Sequence, residues 1–64
     1  MDKWIPVNKK LPYKNGDYLV TTRGNYNDII DIAYYNGIWH KANKVIAWMP
    51  LPEPYKGVEN EADN

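Results

Sequence analysis

The chain has no cysteine, no serine and no phenylalanine, and a single histidine among its 64 residues. Without cysteine there is no disulfide and no thiolate metal site. Without serine or cysteine, Ser–His and Cys–His nucleophilic catalysis are both excluded. Thr21 and Thr22 supply the only hydroxyls besides those of tyrosine, and both fall in an expected strand. One histidine and scattered acids cannot meet the ligand number of a metal site, so neither a metal nor another cofactor is expected. Asp28 and Asp31 are three apart, which in a strand sends them to opposite faces rather than into a carboxylate pair. Gly24 and Gly37 stand alone, so no phosphate-cradling loop is present. No apolar run approaches the ~20 residues of a membrane span. The opening Met1-Asp2-Lys3-Trp4 lacks the apolar centre of a signal peptide. The expectation is a soluble, cytoplasmic protein that is not an enzyme.

What the chain does have is aromatics: three Trp and six Tyr. A domain this short buries only about 60% of the surface its unfolded chain exposes. Large rings with polar tips therefore suit a thin sheet with wet edges, and self-association is the one staple left open. The net charge is zero but uneven. Residues 1–52 hold seven bases and four acids, whereas residues 53–64 hold one base and four acids. Such a weakly basic body argues against a nucleic-acid partner.

The pattern is that of strands and turns. Trp4-Ile5-Pro6-Val7 reads as an edge strand or strap, because Pro6 removes a backbone donor. Asn15-Gly16 marks a turn and residues 18–22 a strand. Residues 23–28 form a polar loop and residues 29–35 the longest strand. Asn36-Gly37 predicts a two-residue hairpin loop. That register sets Tyr35 opposite Ile38, Tyr34 opposite Trp39 and Ala33 opposite His40. A second turn at Ala42-Asn43 would set Trp39 opposite Ile46, although Ala42 is a poor turn residue.

The last strand, Val45-Ile46-Ala47-Trp48-Met49, runs into Pro50, Pro52 and Pro54. Their spacing is not the register of a polyproline ligand, so they read as a stiff strap closing the sheet. The fold expected is all-β: a small curled antiparallel meander of three to five strands, or a partly closed barrel, with a proline-rich strap. Residues 1–55 make one domain and residues 56–64 a flexible acidic tail.

Alternation along the strands assigns the faces. The core face is expected to carry Ile30, Ile32, Tyr34, Trp39, Ile46 and Trp48, with Trp4 closing one end. The opposite face carries Ala33, Tyr35, Ile38, His40, Val45, Ala47 and Met49, with His40 one diagonal step from Asp31. That second face is apolar enough to bind a partner through Tyr35, Ile38, His40, Val45 and Met49. A separate grouping of Arg23, Tyr26, Lys41 and Lys44 could hold a nucleotide-like anion between aromatic rings. A chain this small would need to oligomerise to enclose such a ligand.

Several of these residues together resemble a known family. They are Trp4-Ile5-Pro6-Val7, Leu11-Pro12, Gly16-Asp17-Tyr18-Leu19-Val20, Ala33-Tyr34-Tyr35 with Trp39, and Trp48-Met49-Pro50-Leu51-Pro52-Glu53-Pro54. In that order they resemble domain-of-unknown-function family 551, across residues 4–54. The resemblance implies a small accessory protein of phage, prophage or bacterial origin, with no catalytic residues to carry over. Proteins of that kind often bind and block a host protein, for example a defence component. The expected function is therefore non-enzymatic binding of a bacterial host protein. Self-association and sequestration of a small nucleotide-like anion by an oligomer are the alternatives.

Overall fold

The computed structural model describes residues 3–55. The acidic tail expected over residues 56–64 lies outside the described residues. Among those described, all regular structure is strand: β1 (Ile5–Pro6), β2 (Gly16–Thr22), β3 (Ile29–Tyr35), β4 (Trp39–His40) and β5 (Val45–Pro50). They form one antiparallel sheet in the order β1-β5-β2-β3-β4. The sheet is not closed, and β1 and β4 are its two edges. Among the described residues no helix is long and apolar enough to cross a membrane.

The expected all-β curled sheet is what forms, but its last strand lies elsewhere. β2, β3 and β4 make a meander, and β5 then returns to pair with β2 rather than with β4. The expected opposition of Trp39 and Ile46 therefore does not occur. Residues 41–44 are not a tight turn but the link between β4 and β5. Of Lys41, Ala42, Asn43 and Lys44, Asn43 alone is a turn-forming residue, too little to hold a second hairpin. The link instead runs against the end of β2, where the Arg23 N–H donates to the Lys44 carbonyl at 2.9 Å.

Two local irregularities decide which side chains turn inward. The hairpin between β3 and β4 has three loop residues, not two. Tyr35 pairs with Trp39 and Tyr34 with His40, and the Asn36 N–H donates to the Ile38 carbonyl at 3.2 Å. Gly37 carries a φ of 101°, which a side chain would oppose. Because side chains alternate with period two, this one-residue slip moves Trp39 from the side of Tyr34 to the side of Tyr35 and brings His40 to that of Tyr34. The second irregularity is in β5. Thr21 pairs with Ala47 but Thr22 pairs with Val45, leaving Ile46 as a bulged residue. The bulge lets Val45 and Trp48 point to the same face.

The core is accordingly the face expected to be mixed. Val20, Ala33, Val45 and Trp48 form it, with Ile5, Val7, Tyr18 and Trp39 packed against them. Tyr35 and Thr22 are buried beside it. The expected core residues Ile30, Ile32 and Tyr34 are instead 64%, 50% and 43% exposed. Trp4, Trp39 and Ile46 are half-buried.

The reason is aromatic packing and coverage. Tyr18 meets Trp48 edge-on at 5.2 Å and Trp39 at 6.1 Å, while Tyr35 lies 4.7 Å from Trp39. Each ring buries more area than an isoleucine and gains from edge-to-face geometry. Connecting segments also close over this face. Pro12 is buried, and the Trp48 indole N–H donates to the Lys10 carbonyl at 2.9 Å. Full burial of one aliphatic side chain such as Val20 contributes about 2 kcal/mol, so four or five such residues make a modest core.

Candidate interaction surface

The face turned away from the core is a small grid set by strand register. Across the sheet, Ala47, Thr21 and Ile30 form one row, and Met49, Leu19 and Ile32 the next. Pro6 extends the first row through its pairing with Ala47. Asp17, Tyr34 and His40 make a third row. The first two rows contain no ionisable side chain. Ile30 and Ile32 stand furthest out, whereas Leu19, Ala47 and Met49 are half-buried by their neighbours.

At the third row the surface becomes polar. His40 packs against Tyr34 at 5.5 Å, and its Nε2 lies 2.8 Å from the Asn36 side-chain oxygen. It is not the neighbour of Asp31 that the shorter hairpin loop would have made it. Asp31 lies on the opposite side of the sheet and is held by other groups. Lys41 Nζ is 2.7 Å from Asp31 Oδ2, and the Ile32 backbone N–H donates to Asp31 Oδ1 at 2.8 Å. The hydrogen bond from Lys41 first, then the bond from Ile32, holds the Asp31 carboxyl below its ordinary pKa.

The residues expected to bind a partner are not brought together. Tyr35 and Val45 are in the core. Ile38 is exposed in the hairpin loop, and His40 and Met49 belong to the outer face. The loop slip sets Trp39 on the side of Tyr35 and the bulge turns Val45 to the side of Trp48, so both pack into the core and are removed from any surface site.

The expected anion site is likewise not assembled. Arg23 Nε lies 3.2 Å from Asp28 Oδ1, and Lys41 is engaged by Asp31. Tyr26 projects from the loop with 96% of its surface exposed. Lys44 approaches Arg23 only through its backbone carbonyl. Two of the three cations thus face carboxylates rather than a shared ligand position.

Leu19, Ile30 and Ile32 carry the outer face, and reading by alternation alone placed the two isoleucines inside. Asp31 reinforced that reading, because it stands in line with Ala33 and Tyr35 on what proves to be the core side, where Lys41 from the link after β4 pairs with it.

The whole of this sheet falls within one family model. It matches residues 3–56 and is described as a protein of unknown function, DUF551. The chain belongs to that family. The expected resemblance to family 551 over residues 4–54 is therefore met across nearly the same span. The match covers all five strands, so the family unit is the sheet itself with the start of the proline segment. No curated protein and no solved structure matches the chain.

Proposed function

We propose that this member of the DUF551 family is a non-enzymatic binding protein that docks its outer sheet face on another protein. The observation that carries the reading is the uncharged grid of Leu19, Thr21, Ile30, Ile32, Ala47 and Met49, with Ile30 and Ile32 at least half exposed. A partner can cover such a surface without stranding a charge in the interface. Contiguous exposed apolar surface of this kind is what interaction sites present. The setting proposed is the bacterial cytoplasm, with a host protein as partner, as the phage and bacterial character of the resemblance suggests.

The test compares the wild-type chain with Met49→Glu and Ile32→Glu as baits in bacterial lysate. Tyr26→Glu, in an exposed loop off the face, is the control. The expected result is a bound protein retained by the wild type and by Tyr26→Glu and lost from both face variants, which keep the strand signal in circular dichroism. Retention by the face variants overturns the reading. So does sedimentation showing that the wild type is a dimer that the face variants dissolve, because a second copy would then fill the face.

A further inference from the structure

The sheet protects its edges unevenly. β1 is two residues long and contains Pro6, and β4 is also two residues long. Short strands and proline blunt an edge against further pairing. β4, however, covers only Tyr34 and Tyr35 of β3. The stretch Ile29 to Ala33 has β2 on one side and, among the described residues, no strand on the other. Ile29, Ile30 and Ile32 are all exposed there.

The direction of the free backbone groups follows from the ladder. In an antiparallel pair, alternate residues point their N–H and C=O toward the same neighbour. Asn36 bonds across the hairpin to Ile38, so Tyr34, Ile32 and Ile30 point to the side of β4 as well. Beyond Tyr34 no strand among the described residues pairs on that side. Among the described residues the Ile32 N–H meets no strand there and is held by the Asp31 carboxylate, whose other oxygen is on Lys41.

We propose that this edge is a strand-addition site for an extended segment of another protein that places a basic residue opposite Asp31 and apolar residues opposite Ile30 and Ile32. The inference rests on the binding role proposed above and adds the kind of segment recognised. On strand addition, main-chain bonds supply affinity and alternate side chains supply selectivity. The incoming carbonyl takes over the Ile32 N–H, and the Asp31 Oδ1 released from it is free to accept from a new donor while Oδ2 stays on Lys41. A lysine or arginine directly opposite supplies one, and an acid there meets like charge. Apolar residues on either side of it extend the Ile30 and Ile32 stripe.

A second copy fits this edge poorly in each antiparallel register that pairs Ile30 or Ile32 with its counterparts. Setting Ile30 opposite the copy's Ile32 puts Asp31 directly against the copy's Asp31, at the close Cα spacing of about 4.5 Å in a non-hydrogen-bonded pair. Setting Ile30 opposite the copy's Ile30 lays Asp28 over Ile32 and Asp31 over Ile29, carboxylate on isoleucine throughout. Setting Ile32 opposite the copy's Ile32 requires the ladder position of Tyr34, which His40 occupies. Asp31 in two of these registers and His40 in the third oppose self-pairing, and Asp31 selects a cationic strand.

The test titrates the isotope-labelled full chain with the capped peptide Thr-Thr-Val-Lys-Val-Thr-Thr and with the same peptide carrying Glu in place of Lys. The expected result is movement of the Ile30 and Ile32 amide resonances, with slowed hydrogen exchange at both. The Lys peptide is expected to bind about tenfold more tightly than the Glu peptide. Asp31→Lys should invert that preference. Met49→Glu, which tests the face, should leave peptide binding unchanged, so failure of the edge is distinguishable from failure of the face. No resonance movement at about 1 mM peptide, equal affinity for the two peptides, or an unchanged preference in Asp31→Lys overturns the proposal.

Discussion

The indole N–H of Trp48 donates to the carbonyl oxygen of Lys10 at 2.9 Å. One bond thereby ties β5 to the segment that follows β1, 38 residues away in sequence. The other core indole has no such partner: Trp39 Nε1 is buried without an acceptor among the described residues.

The contrast predicts different costs for the same substitution. Trp48→Phe removes a made bond, strands the Lys10 carbonyl and leaves a gap, and should cost about 2 kcal/mol. Trp39→Phe removes a donor that is already unsatisfied, so the lost ring area is offset and the change should be within about 1 kcal/mol. Urea unfolding of the two variants checks this, and equal midpoints would show that the Lys10 bond contributes nothing.

A second prediction concerns the adjacent tyrosines of β3. Tyr35 is 7% exposed and packs at a tilt against Trp39, whereas Tyr34 is 43% exposed on the outer face. Tyr35→Ala should cost about 3–5 kcal/mol, in the range of other buried aromatic truncations. Tyr34→Ala should cost under about 1 kcal/mol, as surface changes do. The reverse order in thermal or urea unfolding would restore the two-residue hairpin loop.

These tyrosines also show where sequence reasoning stops. The strand content, the antiparallel arrangement and the hairpin at Asn36-Gly37 were all legible, because β-branched and aromatic residues alternate with turn residues. The faces were not. Alternation says which residues of one strand share a side, but a one-residue change in loop length moves every residue of β4 to the other side relative to β3. The bulge at Ile46 then breaks alternation inside β5, so that Val45 and Trp48 both turn inward. Neither event has a local signature, since both are decided by how Tyr35, Trp39, Trp48 and Tyr18 pack together. The candidate site was misplaced for the same reason. Met49 and His40 do lie on the outer face, but Tyr35 and Val45 went to the core in exchange for Ile30 and Ile32. The pairing of Asp31 with Lys41 depended on a link that crosses the sheet instead of turning back.

Gly24 yields a third prediction. A Cβ at this position would overlap the Asn27 carbonyl oxygen and press on Ile29 Cδ1 at 3.3 Å. The loop from Arg23 to Asp28 is closed by their ion pair, so the backbone has little freedom to move aside. Gly24→Ala should destabilise by about 1–3 kcal/mol, the range for overpacking. A melting temperature equal to that of the wild type would show that the loop gives way.

The last prediction follows from the charge at the open edge. Asp31 is held ionised by Lys41 and by the Ile32 N–H, so its folded pKa lies below the ordinary 3.8. A carboxyl lowered in the folded state contributes stability above its unfolded pKa, and that contribution is lost as pH falls through the folded value. Acidification through this window should release the Ile32 N–H while the sheet stays folded, because the group is at the surface and its contribution is small. The Ile32 amide resonance should therefore titrate with a midpoint below 3.8, and Lys41→Ala should move that midpoint upward. A midpoint unchanged by Lys41→Ala would mean that the ion pair does not set the carboxylate, and that the backbone bond alone holds it on the edge.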